Sequence, residues 1–242
     1  MIPVLAADIQ VGDHITRQYF GLTIDVDTVI STLVAAAIVL AIGFYLRAKA
    51  TAGVPRRLQL AFETIVGGVQ DQVKSSMGDT GKPIVPLAFT LFVFILIANW
   101  LELIPTGHSP QYLPPPSADV NFTFALSLFV IVLVHATWIR HQGLRRYIAH
   151  YFRPQWWLFP INVIEELTKP ITLALRLFGN IFAGGLLLVI FADAIPAKYI
   201  IPIPVLDVVW KLFDGLFVGP LQAFIFALLT VLYFEAPIAG GH

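Results

Sequence analysis

The sequence predicts an all-α integral membrane protein with five transmembrane crossings, two of them long and strongly tilted helices, plus a cytoplasmic amphipathic helix. Three observations carry that prediction. Of 242 residues, 57% are hydrophobic and 12% charged, where a soluble domain carries roughly 25% charged residues; the mean hydropathy is +0.80. Apolar runs of about 20 residues recur, the length a helix needs to cross a hydrocarbon core of about 30 Å. Lys and Arg gather in particular connections and avoid the others, as the positive-inside rule requires of a chain with several spans.

The spans follow in order. Residues 28–46 ("TVISTLVAAAIVLAIGFYL") form the first. Residues 56–77 ("RRLQLAFETIVGGVQDQVKSSM") set Leu58, Phe62, Ile65, Val69 and Val73 at helical spacing, which describes either a helix lying on the membrane surface or one packed against a partner subunit. Residues 83–104 are the second span and residues 120–139 the third. Residues 162–195 and 206–235 are the two long helices. At 1.5 Å per residue the first of these extends about 51 Å, too long to stand upright in a bilayer. Pro170 within it permits a bend. The connections "TGHSPQYLPPPSAD" and "AIPAKYIIPIPVLD" are proline-rich and read as non-helical. No repeat and no second domain emerges.

Arg47, Lys49, Arg56, Arg57, Lys74 and Lys82 follow the first span, and Arg140, Arg145, Arg146 and Arg153 follow the third. Arg17 and Lys198 stand alone on the other side. Ten cations against two place the N-terminus outside and the C-terminus in the cytoplasm. The opening "MIPVLAADIQ" lacks the positive n-region of a secretory signal and reads as mature sequence. Fifteen basic and fifteen acidic residues balance, which removes any overall electrostatic argument for nucleic acid. Without cysteine there is no disulfide, thiol nucleophile or cysteine-held metal.

Chemistry concentrates at Arg176, the one charge within "TLALRLFGNIFAGG". An arginine at mid-bilayer costs at least about 2.5–3.5 kcal/mol, so it marks a functional position or a buried ion pair. Stepping about 100° per residue puts Asn162, Glu165, Lys169, Thr172, Gly179, Asn180, Ala183 and Gly184 within roughly 80° of it. Leu167, Phe178, Phe182 and Leu188 fill the other side, and Leu173 flanks the strip at about 60°. The small residues suit close helix packing as well as function. On the last helix Gln222 is polar at membrane depth, with Lys211 and Asp214 toward its outer end and Glu235 at its inner end. Asn99, Glu102, Asp119, Asn121, Thr123 and His135 add polar groups on spans two and three, each of which taken singly also suits an interface or a cap. There is no GxxxxGK[ST] phosphate loop and no HExxH, which leaves neither nucleotide chemistry nor a zinc hydrolase. A secondary ion or anion transporter with Arg176 as its anion site, or a structural scaffold, are the readings from other classes.

"LALRLFGNIFAGG" with "LQAFIFALLTVLYF" resembles subunit a of the F-type ATP synthase, the membrane-sector stator and proton-channel subunit. "FVFILIANWLELIP", "PPPSADVNFTFALSL" and "PINVIEELTKPITLALRLFGN" are similar to that family's second span, third span and approach to its essential arginine. The likeness runs from about Asp27 to the end and is greatest to actinobacterial and mycobacterial members. It implies a transmembrane hairpin pair followed by two nearly horizontal helices curving around a ring of c subunits, in a bacterial plasma membrane. It further implies b-type peripheral-stalk subunits and the rest of the complex as partners, protons as the transported species, and no cofactor or metal; ATP chemistry would belong to partner chains. Arg176 would face the c-subunit carboxylate and separate two offset half-channels, with Gln222 beside it and Asn180 a polar channel position. The outer path would run among Glu102, Asp119, Asp214, Gln222 and Asn180, and the inner path near Asn162, Glu165 and Glu166, with Gly179, Ala183 and Gly184 packing against the ring.

The sequence departs from the commoner family pattern at Gly185, where glutamate is usual, and at Gly215, where histidine is usual. Asp214 is the nearest ionisable group to the second site. It lies about 80° from Gln222 on a straight helix. A kink or π-bulge at Gly219–Pro220 would turn it toward the channel.

Overall fold

The computed structural model of the chain describes residues 16–19, 22–51, 53–103, 114–152, 155–194 and 202–239. Helix α1 (Val26–Lys49) carries Asp27 in its first turn and Arg47 and Lys49 in its last, charges that complement the macrodipole at each end. A two-stranded antiparallel hairpin precedes it, Thr16–Tyr19 (β1) against Leu22–Asp25 (β2), with Thr16 opposite Asp25 and Tyr19 opposite Leu22. The all-α expectation missed this hairpin. Its β-branched and aromatic residues favour strands, but runs of four residues each are too short to stand out beside the apolar spans.

Helix α2 (Arg57–Met77) passes through a 3-10 segment, Gly78–Ile84, into α3 (Val85–Trp100). Its packed side is Val66, Val69, Val73 and Met77, which join the core, while Leu58 and Leu60 stay exposed. Helix α4 (Val120–Gln142) ends at Gly143, whose φ of 80° breaks the chain direction. A short amphipathic helix, α5 (Leu144–Tyr151), starts there. The sequence reading did not foresee it, because eight residues with two adjacent arginines carry too little periodicity to separate from a loop. Helix α6 (Phe159–Ala194) runs through Pro170 without ending.

The last long helix, expected over 206–235 with a kink or π-bulge at Gly219–Pro220, begins earlier, at Pro202, and is divided just before that pair. Helix α7 (Pro202–Phe213) meets a π-helical turn, Asp214–Val218, and continues as α8 (Gly219–Ala239). Pro220 is the physical reason. It has no N–H, so an uninterrupted α-ladder cannot form across it.

Helix α8 is the hub. It packs against α3 along most of its length and also meets α2 and α4, while α4 packs on α6 and α1 on α3. The α8 face that turns inward is Gln222, Ala223, Phe226, Thr230, Val231 and Phe234, the three-and-four spacing of one helix side. Ile95 and Leu91 of α3, Val130 and Val134 of α4, and Leu173 and Leu177 of α6 complete the core. A smaller cluster of Ala35, Val93, Ile97, Ala98 and Leu101 joins α1 to α3. Ala35, Ala88, Ala98 and Ala223 are fully buried at or near 0% exposure. Lipid is as apolar as these side chains, so close packing over small residues, rather than escape from water, holds such helices together. Among the described residues, four helical segments are long and apolar enough to cross a membrane: Val26–Lys49, one within Arg57–Trp100, Val120–Gln142 and Val208–Ile238.

Candidate functional site

Arg176 lies on the solvent-open side of α6 in the isolated chain. Among the described residues, no carboxylate comes within ion-pair distance of it. Glu165, Thr168, Thr172 and Ala183 are exposed on the same side, and Gly179 has open space where a Cβ would stand. The strip first drawn around Arg176 therefore divides. Leu173, Leu177 and Gly184 are buried, and at about 100° per residue they lie about 60°, 100° and 80° to one side of Arg176, while the exposed residues lie on the other. Arg176 sits at the border. Gly184 was expected on the open strip with Gly179 and Ala183, and this expectation is corrected: an ideal Cβ there would stand 3.3 Å from Trp210 Nε1 and 3.9 Å from Asp214 Oδ1. Its missing side chain is what lets α7 and the π turn approach α6.

Asp214 opens the π turn and is buried, 7% exposed. Gln222 is 2% exposed on the inward face of α8. On an α-helix eight residues would separate the two by about 80°; a π turn that absorbs one residue reduces this to about 20°. The turn is held from α3. Trp100 Nε1 donates to Gly215 O at 2.8 Å, Asn99 Nδ2 donates to Gly219 O at 3.2 Å, and Ser117 Oγ donates to Asn99 Oδ1 at 2.7 Å. Trp100, Ser117 and Trp210 were not singled out from the sequence. An Asn-Trp pair closing an apolar span was the available signal for the first.

Gly215 is also a close-approach position. An ideal Cβ there would fall 2.5 Å from Leu103 Cδ2 and 2.7 Å from its Cγ, so Leu103 occupies the space that a larger side chain would take. Asp119 caps α4, its carboxylate accepting the Asn121 N–H at 2.7 Å. The Glu102 and Asn180 side chains lie outside the described residues.

At the other end of α6, Asn162 and Glu166 lie one turn apart beside Tyr151, whereas Glu165 points away from the groove that Tyr151 and Glu166 line. Asn162 Nδ2 donates to Tyr151 O at 2.8 Å. Glu166 turns inward, where Lys169 Nζ donates to its Oε2 at 2.7 Å and His135 Nε2 stands 3.7 Å from its Oε1. Glu165 is exposed on the Arg176 side. Adjacent residues point about 100° apart on a helix, so one carboxylate serves the open face and the other the packed one. Lys169 also lies 5.9 Å above the Tyr233 ring of α8. An open groove of about 460 Å³ runs between α4, α5 and α6, lined by Leu128, His135, Ile148, Tyr151, Phe159 and Glu166 among others. Burial, and then the Tyr147 hydroxyl 3.0 Å away, push the Tyr151 phenol well above its ordinary range, so it stays neutral at any working pH. Among the described residues, no three His, Asp or Glu side chains gather as metal ligands.

Two groups thus emerge: an exposed arginine beside small residues, and a buried carboxylate and amide gathered by a π turn. The family model for the ATP synthase A chain matches residues 29–235. The chain is 49% identical over 241 residues to ATP synthase subunit a of Acidothermus cellulolyticus, covering 99% of this chain and 87% of that protein. It is 48% identical over 241 residues to the protein of that name from Mycobacterium bovis, covering 96% and 94%. To that of Moorella thermoacetica it is 37% identical over 215 residues, covering 89% and 91%.

Proposed function

This chain belongs to the ATP synthase A chain family, and from that premise we propose that it is the proton-translocating stator subunit of the ATP synthase membrane sector. The observation that carries the reading is Arg176, a permanent cation on an open helix face with small residues beside it. Arginine does not deprotonate in proteins, so it acts by its charge and not by handing on a proton. A carboxylate on a passing c subunit stays neutral against lipid, where burying it ionised is costly. Next to Arg176 its ionised form becomes favourable and the proton leaves.

Two half-channels that do not join turn this exchange into rotation. The outer path runs among Glu102, Asp119, Asp214, Gln222 and Asn180; the inner path runs near Asn162, Glu165 and Glu166. Gly179 and Ala183 leave room for the ring's outer helix. Each proton crossing about 100 mV releases about 2.3 kcal/mol, so several are summed for each ATP made by partner chains.

The bacterial plasma membrane is crossed five times, from an external N-terminus to a cytoplasmic C-terminus, with α2 at the cytoplasmic surface. Helix α6, with 36 residues, extends about 54 Å and must tilt strongly to fit a core of about 30 Å. The c-ring covers the Arg176 face, and b-type stalk subunits hold the chain against the ring's torque.

Arg176→Ala tests the reading. ATP-driven proton pumping in inverted membrane vesicles is expected to disappear while the complex still assembles, and near-normal pumping would sink it. A cysteine at position 172 or 183, in a chain with none of its own, is expected to form a disulfide with one placed on the outer helix of a c subunit.

A further inference from the structure

We propose that Trp100 is a positioning residue for Asp214: its indole N–H takes the place of the backbone donor that Pro220 lacks, and so holds the π register that turns Asp214 toward Gly184. The proposal rests on the reading of Asp214 as a proton relay of the outer path.

Pro220 orphans one carbonyl in either helical register. In the α register its missing N–H would have served Leu216, four residues back; in the π register it would have served Gly215, five residues back. The π register is the one present, since Gly219 N–H donates to Asp214 O. The next bond of that ladder, from residue 220 to Gly215 O, cannot form. Trp100 Nε1 stands in that place at 2.8 Å. A buried carbonyl without a donor is costly, so a donor offered to Gly215 alone tips the choice of register.

Neighbouring contacts fix the geometry. Asn99, the residue before Trp100, reaches Gly219 O, and Ser117 holds its amide oxygen and thereby its orientation. A Cβ at Gly219 would meet Asn99 Cβ at 3.3 Å, which shows how closely α3 and α8 approach there. With the register lost, one residue returns to the ladder and Asp214 rotates by about 100° relative to α8, away from the α6 contact at Gly184.

The test uses the whole complex in inverted membrane vesicles, with its amount measured. Replacing Trp100 by β-(3-benzothienyl)alanine exchanges the N–H for sulfur and keeps the ring shape, so loss of packing or of assembly is not confounded with loss of the donor. Trp100→Phe is the simpler companion. Both are expected to lower ATP-driven proton pumping per assembled complex about fivefold, the order that one lost hydrogen bond carries. 5-Fluorotryptophan at the same position, which keeps the N–H, is expected to pump within about twofold of the parent, because the bond persists. Parent-like pumping with benzothienylalanine overturns the proposal. Asp214→Asn run in parallel separates the two levels: if it abolishes pumping while the benzothienyl complex works normally, only the positioning role fails. If Asp214→Asn pumps normally, the relay reading fails and the positioning role with it.

Discussion

Gly184, Gly215 and Gly219 matter for the space they leave. Each sits where another element's atoms come within 3.4 Å of the Cβ that is not there. Gly215 is the tightest of the three, against Leu103. Gly215→Ala forces Leu103 out of its rotamer and is expected to destabilise by about 1–3 kcal/mol, the usual cost of overpacking. Leu103→Ala in the same chain is expected to recover most of it. Thermal release of the subunit from the detergent-solubilised complex measures both, and equal melting of parent and Gly215→Ala would show the contact to be loose. The cost of a charge in an apolar run made Arg176 legible from sequence, but its exposed position is set by how α6 packs on its neighbours. Gly184 was not legible in that way. It lies near enough to Arg176 in helical angle to be grouped with it, yet falls within the packed arc of α6.

At the scale of elements, the helix ends and breaks are set by a few residues with special backbone chemistry. Asp119 both starts α4 and was a candidate for the outer proton path. Asp119→Ala is expected to cost about 1 kcal/mol through loss of the cap, while Asp119→Asn keeps an accepting oxygen for the Asn121 N–H and costs a few tenths at most. If proton pumping falls with Asp119→Asn although stability is kept, the carboxylate itself contributes to the path. The Gly219–Pro220 pair made a break in the last helix legible from sequence, but not which carbonyl would be left over or what would serve it. Helix α5 and the β1–β2 hairpin were missed for a common reason. Short elements contribute few residues to any periodicity, and their stability comes from what they pack against.

For the whole molecule, the distribution of Lys and Arg carries the orientation. A cysteine placed at Ser109 is expected to react with a membrane-impermeant maleimide added to intact cells, and one at Gly53 only after the cytoplasmic side is opened. The reverse pattern would invert the topology and exchange the two half-channels. Composition and the lengths of the apolar runs were enough to determine a helical membrane protein, the approximate places of its long helices and the residue where its charge is concentrated. Those properties follow from how each segment partitions between water and lipid, which the segment's own residues decide. Tertiary structure alone decided which arc of α6 stays open, that Gly184 faces Trp210 and Asp214, and that Trp100 closes the π turn across 115 positions of sequence. Helical periodicity sets the angles between residues on one helix. It does not set the rotation of that helix about its axis against its neighbours, which comes from contacts between residues far apart in the chain.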